Sequence, residues 1–118
     1  MPPILSTRAL NRATLARQWL LRRHDGTALE AIEHLVGLQA QAPMPPYFGL
    51  WYRLEHFTAS ELSEALPERR VVHMALLRNT VHLVGARDAL LLRTLLHPSL
   101  TGRCGTTRRM RWPWPGLT

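Results

Sequence analysis

After Arg69-Arg70 the spacing of apolar residues changes from that of a helix to that of a strand, and this change limits the folds open to the chain. Val72, Met74 and Leu76 alternate with His73 and Ala75, Arg78-Asn79 interrupts, and Val81 and Leu83 then alternate with His82 and Val84. A period of two places alternate side chains on opposite faces of a strand. Two such runs around a short polar break predict a β-hairpin, with Asn79 in a positive-φ turn position.

Everything before the hairpin has helical spacing. From Ser6 to about Arg23, Ala9, Ala13, Ala16 and Leu20 mark one face, with Arg8 and Arg12 one turn apart beside it, and His24-Asp25-Gly26 is the expected break. Thr27 three residues before Glu30 predicts a capping box at the start of the next helix. Ile32, Leu35, Val36 and Gln39 follow at helical intervals, so a glutamine continues the apolar stripe. Either the helix ends there or a polar group stands at the core edge. Pro43, Pro45 and Pro46 close that helix and open a third, whose expected buried face is Tyr47, Leu50, Trp51 and Leu54. Thr58 with Glu61 predicts a second capping box, ahead of Leu62, Ala65 and Leu66, with Pro67 near the end. A leucine-rich helix from Ala86 to about Leu96 is expected to stop at His97-Pro98.

The fold class expected from this order is mainly α with a small β-hairpin: a winged helix-turn-helix preceded by an N-terminal helix. A helical bundle with one hairpin is the rival. The expected divisions are a basic helical arm over 1–25, a winged-helix domain over 26–100, and a disordered or out-of-frame tail over 101–118. That tail combines arginine with Trp112-Pro113-Trp114-Pro115 and has no amphipathic period.

Composition narrows the function. The chain has 118 residues, 46% hydrophobic and 19% charged, which suits one globular core. A single cysteine, Cys104, excludes an internal disulfide and a cysteine-based zinc module. No apolar run is long enough for a membrane span, and the first residues lack a signal-peptide pattern, so a cytoplasmic location and no membrane partner are expected. All 15 basic residues are arginine, against eight acids. Five of them (Arg8, Arg12, Arg17, Arg22, Arg23) precede the first acid, Asp25. Such an arm suits a polyanion, while the plain reading is a solvated basic face. Six histidines without metal-ligand spacing and the absence of a Gly-rich phosphate loop predict neither a metal nor a small-molecule cofactor. His73 and His82 are expected on one hairpin face, and Arg69, Arg70 and Arg78 border the hairpin where phosphates could be met.

Gly37-Leu38-Gln39-Ala40-Gln41-Ala42-Pro43 is the segment richest in chemistry. Pro43 pushes Ala42 out of the α region, so an extended path is expected near Gln39 to Gln41. Residues two apart in an extended chain face the same way, and each carboxamide offers both a donor and an acceptor without charge. The pair can orient a water or a base edge. As a bare pattern it is weak, and the better reading of it is a helix end with two solvated amides.

The stretches LSTRALNRATLARQWLL, AIEHLVGLQAQAP, PPYFGLWYRL, LLRNTVHLV and ARDALLLRTLLHP resemble the bacterial winged-helix DNA glycosylases of the AlkZ-like type, from about Ser6 to Leu100. That family excises alkylated bases from DNA, and GLQAQ looks like its catalytic Gln-aliphatic-Gln motif. The resemblance implies that Gln39 and Gln41 hold the attacking water and stabilise the electron-poor sugar. It implies double-stranded, alkylated DNA as partner, with phosphate contacts expected from Arg8, Arg12, Arg69, Arg70 and Arg78. An alkylated base leaves with its positive charge neutralised, so amides that position water can suffice without a strong acid.

Some features depart from the family pattern. Arg78-Asn79-Thr80 stands where Arg-Gly-Thr is usual, and Gly85-Ala86 supplies no Ser or Thr cap to the last helix. Family members carry several winged-helix units around one cleft, so a truncated or frameshifted glycosylase is expected. A stand-alone winged-helix binding module without catalysis, and a remnant that does not hold its fold, are the alternatives.

Overall fold

A computed structural model of the chain describes residues 4–101. In chain order they form α1 (Thr7–Arg17), α2 (Ala28–His34), β1 (Leu38–Gln39), α3 (Pro45–Trp51), α4 (Ala59–Ala65), β2 (Val71–Ala75), β3 (Val81–Gly85) and α5 (Ala86–Thr101). This is a mainly α chain with a small antiparallel sheet. The hairpin lies where the period of two puts it, and β1 adds a third strand in the order β1-β3-β2.

Single side chains start the helices. Ser6 accepts the N–H of Ala9 at 3.2 Å in front of α1. Thr27 and Glu30 complete the expected capping box, with the Thr27 N–H donating to Glu30 Oε2 at 2.7 Å and the Glu30 N–H to Thr27 Oγ1 at 3.2 Å. Pro45 and Pro46 occupy the first positions of α3, where no N–H is needed. The second expected box does not form. Thr58 Oγ1 turns to Ser60, and Glu61 Oε1 accepts the N–H of Ala28 at 2.6 Å. Glu61 therefore caps the first turn of α2, whose orphan N–H groups it reaches because α4 packs beside that helix.

The helix ends differ more from expectation. α1 stops at Arg17 and not near Arg23, because Trp19 adopts φ 55° and the Leu20 N–H folds back to the Leu15 carbonyl at 2.9 Å. His24-Asp25-Gly26 thus lies beyond a helix already closed. α2 stops at His34, since Val36 (φ 65°) and Gly37 (φ 155°) turn the chain before Gln39. Gln39 is a strand residue and not the end of a helical stripe. α5 continues past His97-Pro98, where a stop was expected, to Thr101. The first N–H of α5, on Ala86, donates to the Arg70 carbonyl at 2.9 Å, which stands in for the missing cap.

The core is built by Ile32, Leu50, Leu54, Leu62, Val71 and Leu83 with several alanines. Full burial of each large aliphatic side chain contributes about 1.5–3 kcal/mol. Trp51, expected in that core, is 48% exposed, and the Arg23 guanidinium lies 4.2 Å from its ring centroid. α1 buries no residue. Register pairs His73 with Leu83 and Met74 with His82, so the two histidines lie on opposite faces of the hairpin and not on one. The left-handed turn residue is Arg78 (φ 52°, ψ 30°), inside the 3-10 turn Leu77–Asn79, and not Asn79.

Candidate functional site

The path through Val36 and Gly37 decides where the two glutamines stand. A Cβ on Gly37 would lie 2.8 Å from Val84 Cγ1 and 3.2 Å from the Leu83 carbonyl oxygen, so only glycine lets the chain approach β3 so closely. Val36 has no such excuse for its positive φ, and a β-branched residue there is strained. Two residues in unusual conformations thus deliver Leu38–Gln39 to the sheet, where Leu38 pairs with Leu83 and Gln39 with His82.

The pairing continues one step beyond β1. The Ala40 N–H donates to the Val81 carbonyl at 2.8 Å, but the Val81 N–H donates to Gln41 Oε1 at 3.0 Å. A backbone N–H can only donate, so the Gln41 carboxamide presents its oxygen to the strand and its NH2 away from it. Gln39 makes no side-chain hydrogen bond with any described residue, and both of its amide functions are open. Gln39 and Gln41 are exposed while Ala40 between them is buried.

His82, directly across from Gln39, has its Nδ1 2.9 Å from the Thr80 carbonyl oxygen. That oxygen only accepts, so the neutral ring carries its proton on Nδ1 and leaves Nε2 as an acceptor. β1, β2 and β3 contain no acid. The polar strand side chain facing Gln39 is therefore the His82 imidazole.

The expected phosphate contacts fall in separate places. Arg8 and Arg12 are exposed on α1. Arg69 (φ 57°) and Arg70 lie in the turn that enters β2, and Arg78 lies at the other end of the same hairpin. Five residues of β2 set these ends about 17 Å apart at about 3.4 Å per residue. Arg70 Nε is held by Glu68 Oε2 at 2.6 Å, whereas Arg69 and Arg78 are exposed and without an ion pair to any described residue. Gln41, bonded to the first residue of β3, stands at the Arg78 end.

The model of the DNA glycosylase AlkZ-like family matches residues 32–118. The chain belongs to that family. The match takes in GLQAQ and the whole hairpin, and it starts after Arg8 and Arg12. No curated protein and no solved structure matches the chain. The protein is thereby related to repair glycosylases. No described helix is long and apolar enough to cross a membrane, and no three metal-ligating side chains gather among the described residues.

Two side chains that matter to this arrangement were not legible in the family motifs. His82 becomes the neighbour of Gln39 only through the register of β1, which a two-residue strand hardly announces. Arg53 joins α1 to α3: its Nε donates to the Gln18 carbonyl and its guanidinium NH1 to the Gly49 carbonyl, both at 2.7 Å. Partial burial lowers its pKa from the usual arginine value. The signal for it was a lone arginine inside an apolar helix end.

Proposed function

We propose that this chain binds double-stranded DNA as a winged helix and presents Gln39 and Gln41 to an alkylated nucleotide for hydrolysis of its N-glycosidic bond. The winged-helix reading is supported by the order helix, strand, helix, helix, strand, strand from α2 to β3 and by the sheet order β1-β3-β2. On this reading residues 1–25 are a basic arm and Arg8, Arg12, Arg69 and Arg78 meet phosphates, with Arg70 available once it leaves Glu68.

The observation that carries the chemistry is the fixed orientation of Gln41 beside a free Gln39. With its carbonyl oxygen accepting from Val81, Gln41 turns its two N–H donors away from the strand, toward a bound nucleotide or water. Gln39 offers its carbonyl oxygen to a water proton and to the electron-poor C1′. As the C1′–N bond breaks, its electron pair neutralises the alkylated base, the water oxygen forms the new bond to C1′, and the surplus proton of that water passes to solvent. The amides contribute orientation and charge stabilisation, not a full proton transfer.

Release of free 7-methylguanine from a methylated duplex tests this. The expected result is release by the wild-type chain and its loss in the Gln39→Ala, Gln41→Ala double variant. An unchanged rate in that variant removes the catalytic assignment. Tight, steeply salt-dependent duplex binding with no base release by the wild type would make the chain a binding module without catalysis.

A further inference from the structure

Away from the glutamines, α1 and the segment that follows it border a half-open pocket of about 360 Å³ lined by Arg12, Ala16, Trp19, Leu21, Arg22 and His24. Its walls are held in place. Trp19 stacks on His24 at 4.3 Å and on His34 at 4.2 Å between ring centroids, with interplanar angles of 19° and 18°. His34 Nε2 meets the Arg17 carbonyl at 2.8 Å, and Arg53 holds the next carbonyl, that of Gln18. The His24 backbone is fastened on both sides, its N–H to the Arg53 carbonyl at 2.7 Å and its carbonyl to the Glu55 N–H at 3.0 Å. A segment without regular structure is thus tied to α2 and to the end of α3.

The lining groups that could meet a ligand are unused. The side chains of Arg12 and Arg22 make neither an ion pair nor a hydrogen bond with any described residue, and the ring nitrogens of His24 likewise bond to none. Asp25 is the first acid of the chain, and no acid among the described residues forms an ion pair with Arg12 or Arg22. Arg12, Arg22 and His24 bring two guanidinium groups and an imidazole to the border of a mainly apolar pocket, a set that matches the oxygens of a phosphate held at its mouth. Trp19, Leu21 and Ala16 give the same space an apolar side, and its volume exceeds what a bare phosphate fills. We infer that this pocket seats a phosphate carried on a nucleoside, as a nucleotide of a nucleic-acid strand or as a free nucleotide. The inference deepens the DNA-binding part of the proposed function through Arg12 and is independent of the chemistry assigned to Gln39 and Gln41.

The test compares the full chain with two variants of equal charge loss: Arg12→Gln, Arg22→Gln in the pocket, and Arg87→Gln, Arg93→Gln on α5, outside it. All four side chains are exposed, so both variants keep the packing of the wild type. For a duplex oligonucleotide, the pocket pair should lower the slope of log K against log salt by at least about 0.9, one phosphate's share, while the outside pair changes it less. Equal losses in the two variants overturn the inference. In the wild-type chain, the NMR signals of the Trp19 indole N–H and the His24 ring should move on addition of the duplex or of a nucleoside monophosphate. Movement with the duplex alone identifies a strand as the source of the phosphate, and movement with the monophosphate identifies a free nucleotide. If neither ligand moves them, the pocket is not a phosphate seat, whatever the 7-methylguanine assay returns.

Discussion

The side-chain oxygen of Gln41 takes the N–H of Val81 at 3.0 Å, in the place where a longer β1 would have offered the carbonyl of Ala40. A residue from the motif segment therefore also terminates the sheet. Gln41→Ala should lower stability by about 0.5–1.5 kcal/mol, the net worth of one such bond, whereas Gln41→Glu keeps the acceptor and should stay close to wild type. Urea unfolding of the two variants measures this. Equal stability of Gln41→Ala and wild type would show that the bond is not made in solution.

Gly37 and Val36 make opposite predictions although they are adjacent. Gly37→Ala forces a Cβ to within 2.8 Å of Val84 Cγ1 at φ 155° and should destabilise by about 1–3 kcal/mol, with β1 pushed from β3. Val36→Gly removes a β-branched residue from φ 65° with its side chain half in solvent, and should stabilise by at most about 0.5 kcal/mol, the left-handed penalty less the entropy of an unfolded glycine and the apolar area lost. Denaturant midpoints at constant m-value decide both signs.

The same pair explains what could be read from the sequence and what could not. Long features with one dominant cause were legible: the capping box at Thr27, the prolines that open α3, and the period of two in β2 and β3. Helix ends were not, because α1, α2 and α4 close on left-handed Trp19, Val36 and Arg69, residue types that give no such signal where glycine would. Exposure of Trp51 was hidden for another reason: helical spacing shows which residues share a face, not how much of that face finds a partner. In the candidate site, the extended path that Pro43 predicts through Gln39 agrees with β1. The bond from Val81 and the nearness of His82 depend on register between strands about 40 residues apart in sequence, which no local pattern encodes.

Acid should weaken the start of α2. The Thr27 backbone N–H, and then the Thr27 hydroxyl, hold Glu30 below its ordinary value of 4.5, and slight desolvation opposes them. A carboxylate with a depressed folded-state pKa stabilises the fold above its unfolded value, and that contribution disappears as the pH falls through the folded one. Thermal unfolding between pH 7 and pH 3 should show a decline below about 4.5, the ordinary carboxylate value, that is shallower in Glu30→Gln. Parallel curves for the two proteins would mean that the capping box does not carry the pH dependence.

Arg78 separates stability from DNA binding. At φ 52° and ψ 30° an arginine bears the cost of a left-handed backbone, and its exposed side chain makes no ion pair with a described residue. Arg78→Gly should therefore raise stability by about 0.5–1 kcal/mol, the left-handed penalty less the extra entropy of an unfolded glycine. If the hairpin tip meets a phosphate, the same substitution should weaken duplex binding and reduce the salt slope by about 0.9. Arg78→Lys keeps the charge and the strain, and should leave both quantities near wild type. A glycine variant that gains stability and binds duplex as tightly as wild type would remove the hairpin tip from the DNA contact, leaving the arm and the turn at Arg69 as the remaining basic contacts.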